Sequence, residues 1–228
     1  MSDARQPPPP PSRGHRLANL LSYIINPLAL PPIAFALILW HFGASGPEVA
    51  RVFVISTIFF SVLPLIYLVR MVRRGKAESI EVRRRESRTR PFLMGVGSYL
   101  VGVVALVLVG ETALPLLIAL ALIYPINTGI VALITLRWKI SVHMIGLAGF
   151  ISMLLFAALL ISDALPPREG SLLRVATVLP LLALVPLLMW ARVRAGAHRV
   201  DEVVGGAIFG LVVPYAELFL IVHLFGLV

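Results

Sequence analysis

The chain has 228 residues, of which 59% are hydrophobic, and its mean hydropathy is +0.94. This composition excludes a soluble globular domain and is typical of a membrane protein built from several helices. The absence of cysteine excludes disulfides, thiolate nucleophiles and zinc sites with cysteine ligands. The formal net charge is +9, and only two of the 20 cationic residues are lysine. This preference for arginine favours two-point contacts with anionic oxygens or with anionic lipid headgroups.

The N-terminal 16 residues contain a run of five prolines, Pro7 to Pro11, followed by Arg13, His15 and Arg16. Prolines and charged residues dominate this segment, which cannot build a core, so it predicts a disordered or polyproline tail. We therefore divide the chain into a tail, residues 1–16, and a single transmembrane domain, residues 17–228.

Seven apolar runs follow, each close to the roughly 20 residues that a helix needs to cross a bilayer. Their approximate limits are 17–42, 52–69, 92–109, 114–136, His143 to Ile161, 172–190, and a last run that ends near the C-terminus. Asn26, Pro27, Pro31 and Pro32 interrupt the first run, which predicts a kink or a partly interfacial helix. The pattern predicts an all-α bundle of six to seven membrane helices.

A basic segment, residues 70–91, holds nine cations and three acids between the second and third runs. Most of these charges are typical of a juxtamembrane loop that sets topology and contacts anionic lipids. Arg83 and Arg90 differ from the rest, because seven residues are two helical turns and place both on one face. Pro91 then favours the start of the next helix.

Two later polar segments predict a phosphate site. In the first, Ser141 and His143 stand at the start of a helix, where free amides and the helix dipole favour an anion, and Lys139 precedes them. In the second, His198 and Glu202 lie four residues apart, so that on a helix the carboxylate can hold the imidazole ring. Arg192 lies six residues before the histidine and can bring a planar cation to the same anion.

With seven crossings, all three polar segments fall on the same side of the membrane as the N-terminal tail. That is what a single active site requires. The same side carries 17 of the 20 cations and the other side carries 3. The positive-inside rule therefore predicts that the site faces the cytoplasm.

The three segments resemble the motifs of the type 2 phosphatidic acid phosphatases, which share their helical core with vanadium haloperoxidases. The family carries Lys-x6-Arg-Pro, then Pro-Ser-Gly-His, then Ser-Arg-x5-His-x3-Asp followed by a glycine. This chain has Arg83-x6-Arg90-Pro91, then Ser141-Val142-His143, then Arg192-x5-His198-x3-Glu202 and Gly206. It departs from the pattern at five positions, which are Arg83 for lysine, Ile140 and Val142 for proline and glycine, Ala191 for serine and Glu202 for aspartate.

The resemblance implies a role for each matching residue. His198 would be the nucleophile that forms a phosphohistidine, Glu202 would fix its tautomer, and His143 would protonate the leaving group. The phosphate oxygens would be held by the remaining residues, which are Arg83, Arg90, Ser141, Arg192 and Lys139. The scheme implies no metal and no other cofactor.

These features predict an integral membrane lipid phosphatase whose substrate joins a phosphate or diphosphate to a greasy tail, such as a prenyl diphosphate or phosphatidic acid. We expect this substrate to come from the bilayer and expect no nucleic-acid partner. Two alternatives stay open at this point. One is a phosphotransferase that uses the same site, and the other is a membrane protein that binds anionic lipids without turnover.

Overall fold

The computed structural model describes residues 12–82, 84–109, 114–161 and 168–224. These residues form an all-α bundle, and six of its helices are long and apolar enough to cross a membrane. In chain order the helices are α1 Arg13–Ile24, α2 Leu30–His41, α3 Gly46–Arg73, α4 Thr89–Val109, α5 Leu114–Thr135, α6 Val142–Phe156, α7 Val175–Arg194 and α8 Val200–Leu224. The predicted polytopic helical bundle is thus confirmed.

The first apolar run forms two short helices rather than one kinked helix. The break begins at Asn26, whose side-chain oxygen accepts a hydrogen bond from the Leu28 backbone amide at 3.0 Å. This local bond competes with helix continuation, and Pro27 adds a residue without an amide proton. Two further prolines then start α2, where their missing amide protons cost nothing.

Helix α1 begins earlier than the sequence predicts. Residues 13–16 belong to its first turn, because Ser12 caps the helix by accepting a hydrogen bond from the His15 amide at 3.3 Å. The predicted tail is therefore helical at its end. Residues 1–11 lie outside the described part of the chain.

The connections alternate between the two ends of the bundle. The end of α2 meets the connection that precedes α7, where the Arg168 amide donates to the His41 carbonyl oxygen at 2.7 Å. At the opposite end lie three segments that we call the first, second and third site loops, residues 74–88, 136–141 and 195–199. They follow α3, α5 and α7, so an odd number of membrane helices precedes each one. This order places all three at one end.

Helices α6 and α8 form the most extensive helix pair, and two glycines on α8 let their backbones meet. A Cβ on Gly206 would lie 2.8 Å from the Ser141 carbonyl oxygen, and one on Gly210 would lie 2.7 Å from the Ala148 Cβ. No side chain fits at these distances. Small residues four apart are the usual means of close helix contact in a bilayer, where packing replaces the hydrophobic effect.

Thiol labelling tests the placement of the site loops on one membrane face. Because the chain lacks cysteine, single cysteines at Lys76 and Arg194, both exposed, report only their own side. In sealed vesicles an impermeant maleimide should label both variants from the same face. A cysteine at Leu172, whose side is opposite, should be labelled only from the other face. Labelling of the Lys76 and Arg194 variants from different faces would contradict this arrangement.

Candidate functional site

The third site loop folds back on the end of α7. Gly196 has a φ of +63°, a left-handed conformation that glycine adopts without steric cost and that commonly ends a helix. The reversal lets the amides of Ala197 and His198 donate to the Arg192 carbonyl oxygen, at 3.2 and 3.4 Å. The five residues between Arg192 and His198 therefore form a compact cap that brings both side chains to one cavity.

His198 and Glu202 form a buried hydrogen-bonded pair at the start of α8. The imidazole Nδ1 lies 2.8 Å from Glu202 Oε2, and both residues are 8% exposed. The same carboxylate oxygen accepts a bond from the Arg199 amide at 3.1 Å, which also satisfies a free amide at the helix start. In the tautomer with the proton on Nδ1, the imidazole donates to the carboxylate and Nε2 carries the lone pair.

The charges around His198 keep its ring neutral. Burial, followed by the positive charges of Arg88, Arg192 and Lys139, lowers the pKa of His198 from 6.5 to about 3. A backbone hydrogen bond at Lys139 favours the protonated ring, but the loss of solvent and the three nearby cations outweigh it. A neutral imidazole is the form that can act as a nucleophile.

The second site loop is bound to the third by backbone and side-chain contacts. The Ser141 amide donates to the Glu202 carbonyl oxygen at 3.2 Å, and Lys139 Nζ donates to the Ala197 carbonyl oxygen at 2.8 Å. His143 stands in the first turn of α6 and lines a cavity with His198. Ser141 is fully buried, and its Oγ has no hydrogen-bond partner among the described residues.

The first site loop contributes a buried arginine, Arg88, which is 5% exposed. Its Nε donates to the Val82 carbonyl oxygen at 2.9 Å, and its Nη1 donates to the Ile140 carbonyl oxygen at 3.1 Å. Arg88 therefore joins the first loop to the second. Buried carbonyl oxygens need donors, and a guanidinium supplies several from one side chain.

Arg192 is 2% exposed and is paired with a carboxylate of the first site loop. Its two terminal nitrogens lie 3.2 and 3.3 Å from the two oxygens of Glu81, a two-point contact. Its Nε is buried and has no hydrogen-bond partner within the described ranges. Arg192 thus lines the cavity as a buried cation whose terminal nitrogens are engaged by Glu81.

A cavity of 610 Å³ lies between the first site loop, the start of α6 and the end of α7, with His198 of the third loop in its wall. Its polar wall includes His143, His198, Arg192, Arg88 and Glu81. The rest of its wall is largely apolar and comes from α1, the turn before α2, the end of α3 and the start of α4. A second cavity of 130 Å³ shares six lining residues with it, which are Pro27, Leu28, Phe92, Tyr99, Thr128 and Val142. The two cavities therefore adjoin each other along this shared wall.

The structure brings six of the predicted site residues to this end of the bundle: His143, His198, Glu202, Ser141, Arg192 and Lys139. The described residues that line the cavity include Arg88 but not Arg90, which is exposed in the first turn of α4. The sequence predicts that Arg83 and Arg90 share one face of a helix. Most of the residues between them are not α-helical, because Arg84 is extended and residues 85–87 form a 3-10 turn before α4 begins at Thr89. Arg83 itself lies outside the described residues.

Sequence reasoning missed Arg88 and Glu81. Both belong to the basic segment, where nine cations and three acids stand close together and no spacing rule separates a buried charge from a solvated one. Only the fold of the loop distinguishes them.

Comparisons with protein-family models, with curated proteins and with solved structures give no match to this chain.

The charge state of His198 can be tested by 15N NMR of histidine-labelled protein. Because its folded pKa is depressed, the ring should stay neutral from pH 8 to pH 5 and show the tautomer with the proton on Nδ1. Comparison with His198→Asn identifies the signal. Protonation with a midpoint near pH 6.5 would contradict this description of the site.

Proposed function

We propose that this chain is an integral membrane phosphatase that acts on lipid phosphates through a phosphohistidine, as its resemblance to the type 2 phosphatidic acid phosphatases implies. The observation that carries the proposal is the pair of His198 and Glu202 at 2.8 Å, in which His198 lines a cavity together with His143, Arg88 and Arg192. A neutral nucleophile, a second imidazole and two guanidinium groups are the parts that metal-independent phosphoryl transfer requires.

In the first step, Nε2 of His198 attacks phosphorus and forms a P–N bond while the P–O bond to the lipid breaks. His143 gives its proton to the departing oxygen, so the lipid leaves as an alcohol or as a shorter phosphate. In the second step, water attacks the phosphohistidine, His143 takes a proton from that water, and inorganic phosphate is released. Glu202 holds the ring in one tautomer and stabilises the positive charge that develops on it.

Arginine side chains supply the charge compensation in this scheme. Arg192 and Arg88 line the cavity, and Lys139 adds a third positive charge close to His198. Fixed cations stabilise the phosphoryl oxygens as charge spreads over them in the transition state. Arg88 replaces Arg90 as the first-loop member of this group in our proposal. Ser141 would act by positioning the loop, because it does not line the cavity.

The cavity wall supports a substrate with a greasy tail. Leu28, Leu65, Leu68 and Phe92 line the same 610 Å³ space as the two histidines. A lipid can therefore place its phosphate among the loops while the tail stays in the apolar part of the bundle. Prenyl diphosphates and phosphatidic acid or phosphatidylglycerol phosphate are the candidate classes. The excess of cations at this end of the bundle supports a cytoplasmic orientation, which the labelling described above tests when it is done in vesicles of known orientation.

Phosphate release tests the proposed reaction. Purified protein in non-ionic detergent, with EDTA present, should release inorganic phosphate from at least one member of a panel of prenyl diphosphates and phosphatidyl phosphates. His198→Ala should lower the rate to that of the buffer, because the attacking atom is gone. His223→Ala is the matched control, since His223 is exposed near the end of α8 and should keep full activity.

The products separate the alternatives. A phosphotransferase would consume the substrate, release little inorganic phosphate and give a phosphorylated acceptor. Binding of the lipids without turnover by unmutated protein, unchanged in His198→Ala, would replace the phosphatase proposal with a binding protein.

The choice between Arg88 and Arg90 gives a second test. Loss of one preorganised donor in such a site commonly costs about 10² to 10³ in turnover. Arg88→Gln should therefore lower kcat about a hundredfold or more, while Arg90→Gln should change it about twofold at most. Both variants lose one positive charge, so a general charge effect cannot explain a difference. Elution as a single symmetric peak shows that Arg88→Gln has folded. Equal losses of kcat in the two variants would indicate that Arg90 also belongs to the site.

A further inference from the structure

The carboxylate of Glu81 occupies the face of Arg192 that a phosphate would need. Two carboxylate oxygens meet two guanidinium nitrogens at 3.2 and 3.3 Å, the same fork geometry by which arginine binds two phosphate oxygens. Both residues line the cavity that contains His143 and His198. The chain therefore places its own anion in the candidate anion subsite.

Burial explains why this subsite needs an anion when no ligand is bound. The Arg192 side chain is 3% exposed, and an unpaired charge at such a position is costly because it has lost its hydration. Arg88 adds a second buried cation on the same cavity wall. A negative partner from the protein compensates this charge in the empty site, and a phosphate compensates it in the occupied one.

The Glu81 side chain is the more exposed partner of this pair. It is 30% exposed, ten times more than the side chain of its partner, so a change of rotamer carries the carboxylate toward water rather than into the bundle. The backbone beside it stays anchored, because Arg88 Nε holds the Val82 carbonyl oxygen at 2.9 Å. Val82 has a φ of +44°, a sparsely populated conformation for a β-branched residue. Such conformations persist where surrounding contacts hold them and are found more often at functional sites.

We propose that Glu81 is the resting ligand of the anion subsite on Arg192, and that the phosphate of an incoming ligand binds by displacing it. Glu81 is then an internal competitor that lowers the affinity of the site for every phosphate by a common factor. It also keeps the empty site folded, because it neutralises Arg192. The proposal rests on the proposed function for the identity of the incoming anion, a phosphate group.

The exchange predicts that one substitution strengthens phosphate binding and weakens the fold. Glu81→Gln removes the competing charge, so the Kd for inorganic phosphate should fall about tenfold. It also leaves the buried guanidinium without a counter-charge, so the Tm of the ligand-free protein should fall by several degrees. If Glu81 had only a structural role, its substitution would weaken phosphate binding and lower the Tm together. The measurements are calorimetric titration with inorganic phosphate and thermal unfolding, both on the full chain in non-ionic detergent.

Two controls separate the exchange from other charge effects. Glu86→Gln makes the same change in net charge on the same loop, but Glu86 is exposed and paired with Arg85, so phosphate affinity should not change. In an Arg192→Gln background the effect of Glu81→Gln on phosphate affinity should disappear, because the contact that it relieves no longer exists.

Each outcome bears on the proposal. Tighter phosphate binding in Glu81→Gln that depends on Arg192 supports the exchange, even if no lipid phosphate is hydrolysed, and in that case only the proposed reaction fails. Unchanged or weaker binding overturns it, as does the absence of phosphate binding in both proteins. If Glu81→Gln does not fold, Glu81→Asp keeps the charge but shortens the side chain by one methylene. It should still bind phosphate severalfold more tightly than the unmutated chain, and equal or weaker binding overturns the proposal.

Discussion

The close packing of α6 against α8 is the constraint on which the candidate site depends. Gly206 and Gly210 leave no room for a side chain between the two backbones. At this separation the Ser141 amide reaches the Glu202 carbonyl oxygen at 3.2 Å, which fixes the start of one helix against the start of the other. His143 and His198 belong to these two starts. They therefore line one cavity although 54 residues separate them in the chain.

Most of the positive charge lies at one end of the bundle and is compensated there by a few specific contacts. The bilayer interior does not solvate ions, so the connections after α3, α5 and α7, together with the helix ends beside them, carry 12 of the 18 arginines. Within the loops, Arg192 pairs with Glu81 and Arg88 binds two carbonyl oxygens. His198 stays neutral beside these cations, because burial and their positive charge lower its pKa to about 3. In the proposed function, the same cations also hold the phosphate.

The break at Asn26 turns an apolar run into part of the cavity wall. Pro27 and Leu28 line both the larger and the smaller cavity, and α1 places Asn19, Ser22 and Tyr23 at the rim of the larger one. A continuous helix would not provide this turn. The sequence showed that the run was interrupted, since asparagine and prolines are visible directly. It did not show that the interruption produces two helices, because that depends on an Asx hydrogen bond and on the packing of α1 against α7.

The sequence alone determined the helical membrane fold, the common end of the three polar segments and the pairing of His198 with Glu202. These follow from the length of apolar runs, from the parity of crossings and from a four-residue spacing on one helix, all of which are local or additive properties of the chain. Only the tertiary structure decided which basic residue of the first loop reaches the cavity and that Glu81 meets Arg192, 111 residues further along the chain. The first loop is not an α-helix, so helical spacing carries no information about it. The burial of Arg88 instead depends on carbonyl oxygens that Val82 and Ile140 present only after the loops have met.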